Sequence, residues 1–305
     1  MDQVTFHQLD LFLLAAKLKN FSKSAEQMAI SQPAFSAQII KLEEILGVPL
    51  FERIGRKVEL TEAGALFAQY AQKTLSTLRE GKQALDDMSR MVIGSLRIGA
   101  STTIANYILP AYLGKFRKRH KDCVIEMMVN NTGAIEQAIV NNEIDLGLVE
   151  GPLAHPSRVD SRLFMKDELV VVFSASHRFR GKGEISAEEF HAEPLILREK
   201  GSGTRKVFMN AMDGEKDPPN VMMELGNTEA IKRMLENGSG VAVISRSAVE
   251  REIKAKSLAM AQIKGVPMPR LFNLIMLKGK YMSNPVREFI KILDPLEKPE
   301  GARIV

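Results

Sequence analysis

Residues 21–47 read FSKSAEQMAISQPAFSAQIIKLEEILG, and this stretch decides how the N-terminal part of the chain folds. It predicts two short helices in succession. The first begins at Phe21-Ser22, with Ser22 as its N-cap, and the second begins at Ser31, which also suits a cap. Pro33 falls in the first turn of the second helix, where its missing N–H costs no hydrogen bond. About two residues separate the helices, a spacing typical of a helix-turn-helix.

The second of these helices has one apolar face and one polar face. Phe35, Ile39 and Leu42 recur at helical spacing and predict a buried stripe, which Gly47 ends. In a helix-turn-helix, the N-terminal end of this helix enters the major groove of DNA. Glutamine suits an adenine edge, proline or alanine can contact a thymine methyl group, and lysine suits a phosphate. The predicted DNA contacts, at the helix starts and on the polar face, are Ser22, Ser31, Gln32, Pro33, Ser36, Ala37 and Lys41.

Similar patterns predict a helix upstream, over 7–18, and a β-hairpin downstream. Phe51, Val58 and Leu60 have the character of strand residues around a basic turn. Such a hairpin forms a small wing, whose basic side chains would lie along phosphates or reach a minor groove. These side chains are Arg53, Arg56 and Lys57. Any one of these side chains is more often a solvated surface charge, so the prediction depends on the order and spacing of the predicted helices and strands together.

Five blocks near the N-terminus resemble, in the same order, the signature of LysR-type transcriptional regulators. They are FSKSAE at 21–26, SQPAFS at 31–36, LEEILG at 42–47, LFER at 50–53 and LTEAG at 60–64. The resemblance implies base contacts from Gln32, Pro33 and Ser36, with Arg53 in the wing. Family members often carry Arg or Gln where this chain has Ala37, so we expect less direct base readout here and more reliance on DNA shape.

Residues 62–91 hold no proline and are rich in good helix formers, which favours one long helix. A heptad pattern places Gly64, Ala71, Leu78 and Leu85 at one seam position, and Phe67, Thr74, Gly81 and Met88 at the other. Two interpretations stay open: the helix packs on its own domain, or it pairs with a second copy of the chain. The resemblance favours pairing, because family members dimerise through this helix. Residues 93–95 are expected to end the helix as a hinge.

From residue 94 onward, strands alternate with helices, which predicts an α/β fold. Strands over 96–100, 124–129 and 146–149, with helices over 104–119 and 134–141, predict a βαβαβ unit with a parallel sheet. A second unit has strands over 169–173, 195–197, 221–224 and 241–244, helices over 205–212 and 228–236, and a capping box at 186–189. A strand over 272–277 and a helix over 285–293 follow. The chain is expected to cross between two lobes near 164–167 and 266–270.

The predicted fold is therefore an N-terminal winged helix-turn-helix, a long linker helix and a C-terminal two-lobed α/β domain. The expected boundaries are 1–61 for the DNA-binding domain, 62–93 for the linker and dimerisation helix, and 94–305 for the effector-binding domain. Lobe I would cover 94–165 and 269–305, and lobe II would cover 166–268. The resemblance implies that this domain has a periplasmic-binding-protein-like fold.

Polar residues begin several helices that follow strands in the two lobes. In open α/β sheets, ligands sit beyond the carboxyl ends of the strands, and the free N–H groups of a helix start suit an anion. Ordinary capping explains any one of these residues, and only their convergence predicts a site for a small anionic effector. The candidates are Ser101, Thr102, Thr103, Thr132, Ser202, Gly203, Thr204 and Asn227. Glu150, Arg198 and Arg205 are charged neighbours that surface ion pairs would explain equally well.

Composition restricts the other classes of function. The net charge of +5 lies entirely after residue 91, so it is no argument for DNA binding. The first residues do not have the pattern of a secretory signal, so none is expected, and the apolar runs are too short for a membrane span. The single cysteine, Cys123, suits a reducing cytosol. The five histidines lack metal spacing, and neither a phosphate loop nor a Gly-x-Ser-x-Gly elbow occurs, so no metal, cofactor or enzyme activity is expected.

Together these features predict a cytoplasmic, ligand-responsive transcription regulator. Its expected partners are double-stranded promoter DNA, a small anionic effector and a second copy of the chain, with no membrane partner. The resemblance adds a dimer of dimers (a homotetramer) and RNA polymerase as further candidates. Two alternatives stay open. One is a DNA-binding regulator without a ligand response, and the other is a two-lobed solute-binding protein or enzyme, which would leave the helix-turn-helix without a role.

Overall fold

The computed structural model describes residues 3–54, 57–88, 92–212, 218 and 220–293 of the chain. They form two compact units, one that ends at Met88 and one that contains most of the chain after it. Among the helices of these ranges, none is both long and apolar enough to cross a membrane. Each unit has its own hydrophobic core, and each is described in turn.

The N-terminal unit is a helix-turn-helix followed by a β-ribbon and a long helix. Its elements are α1 (Phe6–Leu18), α2 (Phe21–Gln27), α3 (Gln32–Leu46), β1 (Phe51–Ile54), β2 (Lys57–Leu60) and α4 (Glu62–Asp87). β1 and β2 pair antiparallel. Phe12, Phe35 and Leu42 are fully buried in its core. Ser31 caps α3, and Gly47 ends it with a φ of 70°, so the predicted winged helix-turn-helix is confirmed.

Two details predicted for the helix-turn-helix are wrong. Asn20 rather than Ser22 caps α2, because the Asn20 side chain accepts a hydrogen bond from the N–H of Lys23 while Ser22 already lies in the first turn. The connection from α2 to α3 spans the four residues 28–31 rather than about two. The extra length is taken up by Ala29, whose φ of 54° turns the chain before α3 begins.

The helix α4 changes its surroundings along its length. Its first half packs on α1, and Ala71 and Leu75 are buried there, as expected for a helix that packs on its own domain. Three seam residues of the second half, Leu78, Leu85 and Met88, are 51%, 69% and 79% exposed in the chain. These three are available to a partner, whereas the earlier seam position Ala71 is not.

The second unit alternates strands and helices. In chain order its elements are β3 (Gly94–Ser101), α5 (Thr102–Tyr107), α6 (Leu109–Arg119), β4 (Cys123–Asn130), α7 (Thr132–Val140), β5 (Leu146–Glu150), β6 (Val159–Ser174), β7 (Glu184–Ile185), α8 (Ala187–His191), β8 (Leu195–Arg198), α9 (Gly203–Ala211), β9 (Val221–Leu225), α10 (Thr228–Glu236), β10 (Val241–Ser245), α11 (Glu250–Ala255), β11 (Leu258–Ile263), β12 (Pro269–Leu277) and α12 (Asn284–Leu293). A 3₁₀ turn at Arg246–Ala248 follows β10.

One path of strands, in the order β4-β3-β5-β12-β6-β10-β8-β9, runs through both lobes. In lobe I, β3 pairs parallel with β4 and with β5, which confirms the predicted βαβαβ unit. In lobe II, β8 pairs parallel with β9 and β10. Helices cover both faces of each half of the sheet, so each lobe has two apolar layers.

One long strand, β6, runs through both lobes. It pairs with β12 over residues 159–168, and then with β10 over 169–173 and β11 over 171–174. The crossings were expected near 164–167 and 266–270. The first lies inside β6, so it is a continuous strand, whereas the second is a loop over 264–268 that ends where β12 begins at Pro269.

Two further predictions about this unit need correction. The single helix expected over 104–119 is two helices that meet at Ile108, because Pro110 can begin a helix but cannot continue one. The hinge expected at residues 93–95 is wrong for Gly94 and Ser95, which already belong to β3. The sequence also gave no sign of β7, β11 or α11.

Candidate functional site

The start of α3 carries the residues that were predicted to contact DNA. Gln32, Pro33, Ala37 and Lys41 are exposed, and Ser36 is half-buried. The Nε2 atom of Gln32 donates a hydrogen bond to Ser36 Oγ at 2.9 Å, so the two side chains lie side by side one turn apart. The opposite face, with Phe35, is packed into the core. This arrangement leaves a polar helix end on a fixed support.

The other predicted DNA contacts lie around this helix end. Ser31 uses its hydroxyl to accept a hydrogen bond from the Ala34 N–H, and Ser22 is exposed on α2. Arg53 and Lys57 belong to the two strands of the wing, but the structure does not describe their side chains. Arg56 lies outside the described residues.

The helix α3 and the wing are joined by a carboxylate. Glu43 Oε1, on α3, accepts hydrogen bonds from the backbone N–H groups of Leu50 at 2.7 Å and Phe51 at 3.1 Å. These two N–H groups begin the wing, so the side chain of Glu43 fixes the wing strand against the helix. Sequence reasoning missed this residue.

In the second unit, the carboxyl end of β5 lies at the centre of the predicted cleft. Glu150 ends β5 and is 2% exposed. Ser101, at the end of β3, donates its hydroxyl hydrogen bond to the Glu150 carboxylate. Thr132, at the start of α7, donates to the Glu150 backbone carbonyl at 2.9 Å. Two of the predicted effector residues therefore meet at Glu150.

A buried arginine of β12, Arg270, connects the same carboxylate to lobe II. Arg270 Nη1 lies 3.5 Å from Glu150 Oε1 and donates to Thr204 Oγ1 at 2.8 Å. Arg270 Nε donates to Asp167 Oδ2 at 2.6 Å. The Nη2 atom of Arg270 is buried and has no hydrogen-bond partner among the described residues. Asp167 also accepts hydrogen bonds from Ser245 and Ser247 at 2.8 and 2.9 Å.

The backbones of the two lobes touch beside this cluster. A Cβ atom added to Gly203, the first residue of α9, would lie 2.1 Å from the carbonyl oxygen of Glu150 and 2.7 Å from Thr132 Oγ1. Gly151, with a φ of +81°, faces Gly203 from the other side of this contact. Only glycine at position 203 allows the start of α9 to approach the end of β5 so closely.

The structure places the remaining predicted effector residues as follows. Thr103 and Ser202 are buried, and Ser202 caps α9 by accepting a hydrogen bond from the Arg205 N–H. Thr102 is half-buried at the start of α5. Asn227 is exposed and caps α10. The helix starts at 101–103, 131–133 and 201–204 therefore converge most closely.

The charged neighbours Arg198 and Arg205 are held in place by partners of their own. Arg198 donates to Glu199 at 2.8 Å and to Thr228 at 3.2 Å. Arg205 forms an ion pair with Glu224 at 2.6 Å and donates to the Arg198 carbonyl. Both arginines are buried, unlike the surface ion pairs that the sequence left open.

A second contact closes the rim of the cleft. The Tyr107 hydroxyl, on α5, hydrogen-bonds to Glu229 on α10, and the ammonium group of Lys232 lies 4.8 Å from the centre of the Tyr107 ring. Burial and then the hydrogen bond to Glu229 raise the pKa of Tyr107 far above its usual value. Burial alone would raise the pKa of Glu229 as well, but hydrogen bonds from Lys232 and Tyr107 hold it below its usual range.

Sequence reasoning missed Asp167 and Arg270, although a signal was present. Both lie at the places where the chain was expected to cross between lobes, and Arg270 is the single charged residue of the strand β12. The strand register sets the two directly opposite each other. Charges at such places are expected to be paired, because burying an unpaired charge is costly.

Comparisons with known proteins find two family models that cover most of the chain. Residues 6–65 match the model of the bacterial regulatory helix-turn-helix protein, lysR family, and residues 89–296 match the model of the LysR substrate binding domain. The HTH-type transcriptional regulator YeiE of Escherichia coli K12, itself named as uncharacterized, is 34% identical over 299 residues, covering 97% of this chain and 99% of YeiE. The transcriptional activator CmpR of Synechocystis sp. PCC 6803 is 32% identical over 295 residues, with 96% of each chain covered.

Among solved structures, the regulatory domain of CcmR from Synechocystis PCC6803 in complex with 2-PG has a TM-score of 0.62 and 31% identity, covering 67% of this chain and 98% of that one. The family models together span most of the chain, and the relatives match over nearly its full length. The chain belongs to the LysR family of bacterial transcriptional regulators.

Proposed function

We propose that the start of α3 reads operator bases and that the cleft around Glu150 binds the small anion that controls this activity. The observation that carries the proposal is the convergence of Ser101, Thr132 and Thr204 on one buried position between two lobes. The same chain presents an exposed polar helix end for DNA. A site for a signal and a site for an operator on one polypeptide are what a ligand-responsive regulator requires.

The DNA part rests on Gln32. A glutamine amide can donate to and accept from an adenine edge at once, and such a pair is worth about 1–3 kcal/mol of discrimination. We expect Gln32→Ala to weaken binding to an operator fragment by about that amount in a gel-shift titration at fixed salt. The matched control is Gln3→Ala, which removes the same group from an exposed position outside the helices. Equal operator affinities for the two variants would contradict base reading by Gln32.

Self-association is proposed for the second half of α4. Leu78, Leu85 and Met88 are exposed apolar residues at predicted seam positions, and a paired helix would cover them. Leu78→Glu with Leu85→Glu is expected to turn a dimer into a monomer in light scattering. A dimer that survives both substitutions would place the interface elsewhere. A dimer of dimers and contact with RNA polymerase stay predictions from the resemblance, and a cytoplasmic location stays a prediction from the composition of the chain.

The effector part is supported by the chemistry of the cleft and by one relative. Hydroxyl groups, a guanidinium group and helix starts are donors, and donors suit anions. The CcmR regulatory domain was solved with the small anion 2-PG. We expect 2-PG, inorganic phosphate or another small anion to raise the melting temperature of the full chain, because a ligand that binds only the native state stabilises it.

Ser101→Ala tests the location of this site. The loss of one hydroxyl donor is expected to weaken anion binding by about 1 kcal/mol and leave operator affinity without ligand unchanged. Ser157→Ala, in an exposed loop of lobe I, is the matched control. The regulator without a ligand response becomes the better hypothesis if no small anion changes the melting temperature of the wild-type chain.

A further inference from the structure

The Glu150 carboxylate already occupies the donors that an effector anion would use. Its side chain is 3% exposed and accepts the hydrogen bond of Ser101, whose single hydroxyl proton is then unavailable to any other acceptor. Its Oε1 atom lies 3.5 Å from Nη1 of Arg270. An anion that enters the cleft therefore meets a carboxylate of the chain itself in the anion position.

The charges of the cluster show that one carboxylate must move when an anion binds. Glu150 and Asp167 are both acidic, and the guanidinium of Arg270 is the cation between them. At an effective dielectric constant of about 20, a like charge about 5 Å away weakens anion binding by about two orders of magnitude. One of the two carboxylates must therefore move away before an anion can bind tightly.

Asp167 is held more firmly than Glu150. It accepts from Arg270 Nε, Ser245 and Ser247 at 2.6–2.9 Å. Among the described residues, the Glu150 side chain accepts a hydrogen bond from Ser101 and has only the longer 3.5 Å contact with Arg270. Moving the Glu150 carboxylate out of the cluster therefore breaks fewer hydrogen bonds than moving that of Asp167.

Arg270 keeps donor capacity for an incoming ligand. Its Nη2 atom is buried and makes no hydrogen bond to the residues that the structure describes, although a buried donor normally has a partner. The guanidinium itself is fixed by Asp167 and Thr204. A planar group with one free edge, held rigidly, suits two oxygens of a phosphate or carboxylate.

We propose that Glu150 is an internal substitute for the effector. In the unliganded chain its carboxylate sits on Ser101 and Arg270. The effector, a small molecule with a phosphate or carboxylate group, displaces it and takes over both donors together with Nη2. This inference rests on the proposed function, because it names the group that an anion must replace in that same cleft. Glu150 then lowers the affinity of the sensor for its ligand.

Isothermal titration of the full chain with two probes, inorganic phosphate and 2-PG, tests this role. Glu150→Gln removes the charge but keeps the shape and the acceptor for Ser101, so we expect it to bind the better probe at least about tenfold more tightly than wild type. Glu184→Gln, an exposed carboxylate of β7, is the matched control and should leave the affinity unchanged. Adding Arg270→Met to Glu150→Gln should abolish the gain.

The outcomes separate this inference from the proposed function. If wild type binds a probe and Glu150→Gln binds it no more tightly, the inference that Glu150 substitutes for the effector is wrong, whereas the proposed anion site is supported. If neither form binds either probe, both are contradicted. Should Glu150→Gln fail to fold, Glu150→Met supplies a second uncharged side chain of similar length. Its melting temperature should rise with phosphate more than that of wild type, and an equal rise would also overturn the proposal.

Discussion

Replacing Gly203 with alanine tests the close contact between the lobes. In the structure, the new Cβ atom would lie 2.1 Å from the Glu150 carbonyl oxygen, whereas carbon and carbonyl oxygen atoms need about 3.3 Å. The start of α9 must then withdraw from the end of β5 by about 1 Å. The obstacle is backbone and not a flexible side chain, so local rotamer changes cannot absorb it.

This displacement has a cost that can be estimated. Overpacking of this kind destabilises a protein by about 1–3 kcal/mol. For a unit of about 200 residues, that corresponds to a fall in melting temperature of about 3–10 °C. The same shift separates Thr204 from the cluster around Glu150, so we also expect Gly203→Ala to weaken anion binding.

Thermal unfolding followed by circular dichroism, and titration with 2-PG, would measure both effects. Gly114→Ala is the matched control, because Gly114 is exposed in α6 with nothing within 4 Å of its added Cβ atom. Alanine favours a helix interior, so this variant should be more stable than wild type by up to about 1 kcal/mol. A Gly203→Ala variant with wild-type stability and wild-type anion affinity would refute the contact as described.

Three further predictions concern other parts of the chain. Although burial alone would raise it, Lys280 and Arg97 hold the pKa of Asp145 below its usual value. The stabilising effect is therefore complete above about pH 4 and declines as the pH falls through the lowered pKa, so Asp145→Asn should cost about 2–3 kcal/mol at pH 7 in urea unfolding and less near pH 3. Glu43→Ala should weaken operator binding about tenfold, because the wing strand loses its attachment to α3. Glu43→Gln keeps the acceptor oxygen and should retain most of the operator affinity. Equal losses of operator affinity in the two variants would exclude the positioning role of Glu43. Burial raises the pKa of Cys123 to about 11. Its thiol should therefore react with iodoacetamide at pH 8 far more slowly in the folded than in the unfolded chain, and equal reaction rates would contradict the burial of Cys123.

The sequence predicted the elements whose signals are local. The stripe of Phe35, Ile39 and Leu42 fixed the buried face of α3, and the apolar runs of the second unit fixed most of its strands. The helix-turn-helix pattern, supported by the resemblance to the family, predicted the role of the N-terminal end of α3. These features depend on residues within a few positions of each other.

What the sequence did not predict depends on choices between neighbours or on distant contacts. Asn20 and Ser22 are both good caps, and only the path of the chain decides between them. Pro110 is compatible with a kink, a break or a new start, and here it lies just after the break at Ile108. Arg270 meets Thr204, 66 positions away, only because two lobes fold against each other.

The continuity of β6 through both lobes has a practical consequence for engineering. This strand belongs to both lobes, so a cut of the chain inside it releases neither lobe with a complete sheet. Transplanting lobe II from a relative, to give a promoter a new chemical input, would require one joint inside this hydrogen-bonded strand and another just before β12. Changing the specificity of such a biosensor is better done by replacing side chains around the cleft and leaving the shared ladder intact.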